Sequence, residues 1–381
     1  APEKLTNQIY RCSQSLLDYK FYDFPVPDFK NEGSFKIKDM IVEIIDGVDE
    51  YVTLMEKIFD LDQIGDYLQN NFSIVFDAMN AVTGPYAREL FINKIGLSEN
   101  CLMNSIPLPN FGNLHPDPNL TYADKLADLL LTKRAFDFGA ACDGDGDRNM
   151  ILGKSCFVNP SDSLAVITAN TNLIPGYKNA ISGVARSMPT SMAVDSVAKN
   201  LNIPCYETPT GWKFFGNLLD SDRITICGEE SFGTGSNHVR EKDGLWAVLS
   251  WLQILAAKKS SVMDLMNQHW SQFGRNYYSR HDYEAIPTDI ANQIYENLES
   301  LLPSLKNEKF ANALIVDADN FSYEDPIDKT ISTNQGLRII LENNSRIILR
   351  LSGTGTKGST LRLYFEKPSL LNGKLDLNPQ I

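Results

Sequence analysis

Residues 142–150 read Cys142-Asp143-Gly144-Asp145-Gly146-Asp147-Arg148-Asn149-Met150 and set three carboxylates at alternate positions with glycine between them. In extended backbone, alternate side chains point the same way. The spacing therefore predicts that Asp143, Asp145 and Asp147 converge. Three like charges on one side are unfavourable unless a cation joins them. Hard oxygen ligands with room for water suit Mg²⁺. Gly144 and Gly146 let the backbone turn, and the planar fork of Arg148 suits a pair of phosphate oxygens. A calcium EF-hand loop also opens Asp-x-Asp-x-Asp, but it needs Gly at its sixth position and Glu at its twelfth. Arg148 and Lys154 stand there, which excludes it. Taken alone, the run also reads as a solvated acidic turn.

Outward from this run, 136–141 and 150–153 are strand-like. Upstream, 72–77 reads as a short buried strand, 46–61 as a helix with Val48, Val52, Met55 and Phe59 on one face, and 122–131 as another helix. Alternating strands and helices of these lengths indicate α/β layers. Ligands in such sheets gather at the carboxyl ends of strands, where the acidic run lies. A second α/β unit runs from about 183 to 257. It contains turns at 186–191 and 208–213, a strand at 224–227 and a long loop through 244. The apolar helix at 245–257 follows, with Trp246 and Trp251 read as core. From about 274 the pattern becomes an α+β module of antiparallel character, with strands at 313–316, 337–341, 346–351 and 361–365.

The last loop, Ser352 to Thr360, holds Gly353, Gly355 and Gly358 in the order G-x-G-x-x-G. A dinucleotide site requires a helix after that loop, and a strand-like segment follows instead. Gly153-Lys154-Ser155 matches the end of a P-loop, but the earlier Gly that motif requires is Arg148. What remains is a Ser/Thr/Gly loop flanked by Arg350 and Arg362. Small residues let N–H groups close on an anion that two arginines neutralise. The plain alternative is a tight hairpin with surface hydroxyls.

The chain has 381 residues, 43% hydrophobic and 22% charged, with a net charge of −13 and a pI near 4.8. That acidity argues against nucleic acid or an anionic membrane surface as partner. No apolar run approaches membrane-spanning length. Six scattered cysteines without a C-x-x-C pair fit reduced thiols in a cytoplasmic protein. The chain opens at Ala1 already in helical pattern, with Leu5, Ile9, Leu16 and Leu17 on a rough apolar face. The natural N-terminus is expected further upstream.

Four loops now stand in order: 143–148, Thr208-Pro209-Thr210-Gly211-Trp212-Lys213, Gly228-Glu229-Glu230-Ser231-Phe232-Gly233 and Arg350-Leu351-Ser352-Gly353-Thr354-Gly355. Together they resemble the α-D-phosphohexomutases, and the eukaryotic phosphoglucomutases with their parafusin-like relatives most closely. Residues 115–121 and 240–246 resemble them too, so the likeness covers nearly the whole chain. The resemblance implies interconversion of glucose 1-phosphate and glucose 6-phosphate through glucose 1,6-bisphosphate. It implies related α/β sheet domains plus a C-terminal α+β domain around a central cleft, in a monomer that binds small sugar phosphates. The domain limits expected are 1–45 for the end of a first domain, 46–175, 176–262, and 275–381 for a truncated fourth.

Carried over by residue, Asp143, Asp145 and Asp147 would hold Mg²⁺, with Arg148 beside the transferring phosphoryl group. Thr210 and Gly211 would line the sugar site. Glu229 and Ser231 would bond sugar hydroxyls. Arg350, Ser352, Gly353, Thr354 and Arg362 would grip the phosphate that is not reacting. Phosphoryl transfer needs such cationic stabilisation and in-line positioning. Lys242 and His238 are the acid/base candidates. For His238 a loop hydrogen bond is the alternative, and for Lys242 an ion pair with Glu241 or Asp243. The family's phosphoryl carrier is a serine in a Thr-Ala-Ser-His-Asn-Pro type motif, which does not occur in these residues. The expectation is that the 381 residues alone do not turn over. A non-catalytic scaffold or a sugar-phosphate sensor remain the other readings.

Overall fold

The computed structural model describes residues 3–21, 23–24, 31–70, 72–179, 181–310, 312–355 and 358–369. Three sheets organise them. The first runs in the order Leu102–Met103, Ile74–Asp77, Phe138–Cys142, Asn149–Gly153, Cys156–Val158. Its first three strands are parallel, and the remaining two return antiparallel across the acidic run and the turn after Gly153. The second sheet has three parallel strands, Cys205–Thr208, Val184–Ser187 and Ile226–Gly228, with Thr234–Ser236 antiparallel at its edge. The third is a fully antiparallel six-stranded sheet: Arg275–Ile286, Gly358–Ser369, Arg346–Gly355, Leu337–Leu341, Ala313–Asn320 and Lys309–Phe310. This is the α/β architecture with a C-terminal α+β module that the sequence predicts.

The helix Gly244–Lys258 ties the first two sheets together. Asp243 caps its N-terminus by accepting the Trp246 N–H, and Lys259 ends it in the left-handed conformation. Apolar residues surround it on every side, so no polar face is left for solvent. Trp246 and Trp251 are fully buried, and their indole N–H groups donate to Tyr177 Oη and Ser163 Oγ, each at 2.8 Å. Buried donors need such partners. The helix Pro160–Ala169, grouped with the first unit by the expected limits, packs against Ala193–Leu201 and the strand Ile226–Gly228 of the second sheet.

Local features differ from the sequence reading: the helix expected at 46–61 ends at Ile58 and a second begins at Leu61, capped by Asp60. Residues 122–131 do not form one regular helix. Asp124–Ala127 is α-helical and Asp128–Thr132 winds as a π turn, closed by Lys133 N–H to Asp128 C=O at 2.8 Å. Leu126 and Leu130, four positions apart, share one face and are both buried, lying over Gly139, whose added Cβ would sit 2.7 Å from Leu130. Near the start, Leu5 and Ile9 of the helix Glu3–Gln14 and Leu16 and Leu17 after it are exposed. Residues 33–44 then form an antiparallel hairpin. No helix among the described residues is long and apolar enough to cross a membrane.

Candidate active site

The acidic run leaves the first sheet at Cys142 and re-enters it at Asn149 as a turn, not as extended strand. Gly146 N–H donates to Asp143 C=O at 3.2 Å. Gly146 itself has φ +78°, and a Cβ there would meet Thr83 Cγ2 at 2.7 Å. The turn, rather than strand alternation, gathers the carboxylates. One oxygen from each of Asp143, Asp145 and Asp147 lies within 4.8 Å of the others. Burial pushes Asp143 up to about 7, against the bond it accepts from Arg148 N–H and with added repulsion from Asp147 and Asp145. Negative charge that the protein leaves uncompensated among hard oxygens is what a divalent cation relieves. The donor set fits such an ion.

Two side-chain cations border the cluster. The Arg148 guanidinium lies 3.2 Å from Asp117, 3.7 Å from Asp143 and 3.9 Å from Asp147. The Lys242 ammonium is 2.7 Å from Asp147 Oδ2. The ion pair of Lys242 is therefore with the carboxylate triad, not with the adjacent Glu241 or Asp243. A Cβ on Gly233 would come within 2.4 Å of Lys242 Cδ, so this glycine gives the lysine stem its passage.

Backbone bonds weld the acidic turn to the loop 228–244. Arg148 and Gly233 form an antiparallel bridge. Asn149 donates to Phe232 C=O through its N–H at 2.8 Å and through Nδ2 at 3.0 Å. Gly244 N–H donates to Gly146 C=O at 2.9 Å. Glu229 is buried, donates its N–H to Gly233 C=O, and accepts the Gly211 N–H on Oε1 at 2.9 Å. Burial holds the Glu229 carboxyl above its usual range and the neighbouring Glu230 adds to the rise. The Gly211 N–H, Lys242 and Arg350 oppose it. Gly211 and Glu229 thus meet, and Thr210 beside them has a buried hydroxyl with no hydrogen-bond partner. Ser231 is half-buried on the same loop.

The geometry of His238 favours the loop hydrogen bond that the sequence offers as its alternative. Its ring is enclosed, with Nδ1 at 2.6 Å from Ser236 Oγ and Nε2 at 2.9 Å from Asp243 Oδ2. It also stacks on Trp246 at a centroid distance of 5.4 Å. With both nitrogens engaged and one face covered, the imidazole holds the loop together. Tyr51 joins the same network by donating to Asp243 at 2.8 Å.

The last loop is a β-hairpin in which Arg350 and Arg362 stand directly opposite one another. Directly opposed side chains share one face of a sheet, and two like charges there repel unless an anion joins them. Asp282, paired in register with Arg362 across the next strand, supplies one carboxylate at 3.4 Å. Arg350 Nη1 is buried without a hydrogen-bond partner. Ser352 Oγ reaches Thr360 C=O at 3.5 Å. Gly353 and Thr354 contribute backbone to the strand Arg346–Gly355. Their side chains lie outside the described residues, as do residues 356–357 at the tip.

Residues 49–155 match the phosphoglucomutase/phosphomannomutase α/β/α domain II, 160–273 match domain III, and 275–380 match the phosphoglucomutase-1 C-terminal domain. The phosphoglucomutase of Rhizobium radiobacter is 54% identical over 367 residues, covering 96% of this chain and 68% of that one. The chain belongs to the phosphoglucomutase family. Phosphoglucomutase-1 of Oryctolagus cuniculus is 48% identical over 403 residues, covering all of this chain and 70% of its own. The solved open form of the exocytosis-sensitive phosphoprotein parafusin, a phosphoglucomutase from Paramecium, superposes with a TM-score of 0.88 at 46% identity. That match covers all of this chain and 69% of parafusin. Members of the phosphoglucomutase family are isomerases of carbohydrate metabolism. The chain spans 60 to 70% of the length of the curated relatives it matches.

Several residues of the site escaped the sequence reading. Asp117 and Asp282 each stand beside an arginine assigned to the site, but their partners are 31 and 80 positions away in the chain. Asp243 was visible only as a possible partner of Lys242. Its place between a helix N-terminus, His238 and Tyr51 depends on the packing of three elements.

Proposed function

We propose that the full-length protein is a phosphoglucomutase, interconverting glucose 1-phosphate and glucose 6-phosphate through glucose 1,6-bisphosphate and an enzyme phosphoserine. The observation that carries this reading is the pairing of two complementary vacancies of charge. An under-neutralised triad of Asp143, Asp145 and Asp147 lies on the first unit. Opposed Arg350 and Arg362, with an unpartnered guanidinium nitrogen on Arg350, lie on the last. Between them, Glu229, Ser231 and Thr210 present acceptors and donors suited to hydroxyl groups.

Asp143, Asp145 and Asp147 would hold Mg²⁺, which when bound neutralises charge on the phosphoryl group in flight. The remaining work belongs to the side chains. Arg350, Arg362 and Ser352 grip the phosphate that does not react, fixing the distance of the sugar from the triad. Glu229 and Ser231 bond the ring hydroxyls, and acceptors of this kind serve the hexose in either orientation. Lys242, 2.7 Å from Asp147 Oδ2, is with His238 enclosed the group placed to exchange a proton with the attacking hydroxyl. Arg148 faces the same carboxylates and adds charge stabilisation. In the first half-reaction the phosphoserine P–O bond breaks as a sugar hydroxyl forms a new one. The proton of that hydroxyl passes to the serine oxygen released; in the second half-reaction the other sugar O–P bond breaks as the serine oxygen takes the phosphoryl group back, and the serine proton passes to the sugar oxygen that leaves. Free buried thiols and the absence of a spanning helix among the described residues support a cytoplasmic setting.

The test is conversion of glucose 1-phosphate by the full-length natural protein, with Mg²⁺ and trace glucose 1,6-bisphosphate, coupled to glucose 6-phosphate oxidation. Turnover that chelation abolishes supports the reading. Sugar-phosphate binding without turnover would replace it with a sensor or scaffold.

A further inference from the structure

The sugar-facing loop and the phosphate-facing hairpin sit on different units, yet a single substrate must satisfy both. Glu230 follows Glu229 and points away from the sugar side. It is buried and makes three bonds, all inside the protein. Its N–H donates to Thr190 Oγ1 at 2.9 Å, and its Oε2 accepts from Ser187 Oγ at 3.3 Å. Its Oε1 accepts the Tyr364 hydroxyl at 2.9 Å. Ser187 and Thr190 belong to the second unit and contact each other at 2.6 Å. Tyr364 belongs to the third sheet. It is buried and lies two residues beyond Arg362 on the same strand, so the two side chains share a face. Across the hairpin, Arg362 opposes Arg350 and Tyr364 opposes Ile348. Tyr364 belongs to a buried cluster with Met188 and Phe214 from the second unit and Tyr278, Phe321, Tyr323 and Ile348 from the third, and Arg280 also acts on both Glu230 and the phenol. The Arg350 guanidinium is close enough to act on the Tyr364 phenol.

A hydrogen bond to a carboxylate in such dry surroundings is stronger and more directional than one in water. At one end it holds the residue next to Glu229, at the other the strand that carries Arg362. Each side also keeps an unmet buried polar atom, Thr210 Oγ1 on the neighbouring 208–213 loop and Arg350 Nη1 in the hairpin. We propose that Tyr364 and Glu230 are positioning residues that set the spacing between the sugar-reading and phosphate-gripping loops. They couple recognition of a hexose phosphate across the two units. The inference rests on the hexose-phosphate reading of this site. Neither residue touches the substrate. A free phosphate occupies the hairpin alone and does not feel the spacing, whereas a sugar phosphate spans both loops and does. Because the unreacting phosphate occupies the same hairpin in both orientations, both monophosphates feel it equally.

The experiment is calorimetric binding to the full-length natural protein in chelator, which stops turnover. The probes are glucose 1-phosphate, glucose 6-phosphate and inorganic phosphate. Tyr364→Phe is expected to weaken both sugar phosphates about three- to tenfold, the range for one lost hydrogen bond, and to leave inorganic phosphate unchanged. Glu230→Ala is expected to behave the same way, and the double variant to be no weaker than Glu230→Ala alone. Glu230→Gln keeps an acceptor for the phenol and is expected to stay within about twofold of wild type. Equal weakening of phosphate and sugar phosphates by Tyr364→Phe would overturn the coupling and leave a merely structural role. So would additive effects in the double variant, or no effect at all while the wild type binds sugar phosphate. A wild-type protein that binds neither sugar phosphate would overturn the functional reading, and the coupling with it.

Discussion

Replacing Gly146 by alanine tests how the carboxylate triad is built. Two costs can be separated. Gly146 holds φ +78°, where a Cβ-bearing residue loses about 1 to 2 kcal/mol. The new methyl would also lie 2.7 Å from Thr83 Cγ2. Thr83 is buried and cannot swing away freely, and overpacking of this kind costs about 1 to 3 kcal/mol. The sum is about 2 to 5 kcal/mol. The next neighbour, Val82 Cγ2, is at an ordinary 3.6 Å, so Thr83 alone causes the overlap. Thr83→Ser deletes that methyl. In its background Gly146→Ala is expected to cost only the backbone part, about 1 to 2 kcal/mol. Urea unfolding in chelator reads both costs. A Mg²⁺ titration of the same four proteins reads whether the strain reaches Asp143, Asp145 and Asp147, with the single alanine variant weakest. Equal costs in the two backgrounds would refute the contact with Thr83. A costless Gly146→Ala would refute the left-handed turn itself.

Other expectations follow from the same geometry. Burial pushes Asp162 up to about 7, above its unfolded value near 4. Its contribution to stability is therefore complete below about pH 4 and is lost as pH rises through about 7. Asp162→Asn should flatten that decline, and thermal midpoints taken between about pH 4 and pH 8 would show it. Lys242→Met removes the cation 2.7 Å from Asp147. Mg²⁺ should bind more tightly while turnover falls about a hundredfold or more, so unchanged turnover would remove Lys242 from the chemistry. Asp243→Ala strips the cap from the central helix at Trp246 N–H and leaves Tyr51 and His238 without their acceptor. A loss of about 2 to 4 kcal/mol in unfolding free energy is expected.

Much of this molecule is legible along the chain, and what is not has physical causes. Asp143, Asp145 and Asp147 announce themselves because glycine isolates each one and no hydrophobic period competes. Extended backbone would bring them together by alternation, but a turn at Gly146 gathers them instead. Arg350 and Arg362 were readable together because the segments around them alternate as strands do. The central helix was readable because it is apolar on every side. The hairpin at 33–44 was not. Its turn places Lys38 at φ +52° without the glycine or asparagine that usually marks such a position. His238 could not be judged locally, because Trp246 covers it and Asp243 holds it only after the helix has packed. Glu230 and Tyr364 are 134 positions apart. Glu230 looks like a duplicate of Glu229 until the third sheet supplies the phenol.

The central claim is that loops from three units converge on one hexose phosphate with a metal at the acidic turn. The most direct measurement is a crystal structure of the full-length natural protein soaked with Mn²⁺ and glucose 1-phosphate. Expected are an anomalous peak among Asp143, Asp145 and Asp147, phosphate density against Arg350 and Arg362, and ring hydroxyls on Glu229 and Ser231. A sugar phosphate bound elsewhere, or a metal that avoids the three carboxylates, would contradict it.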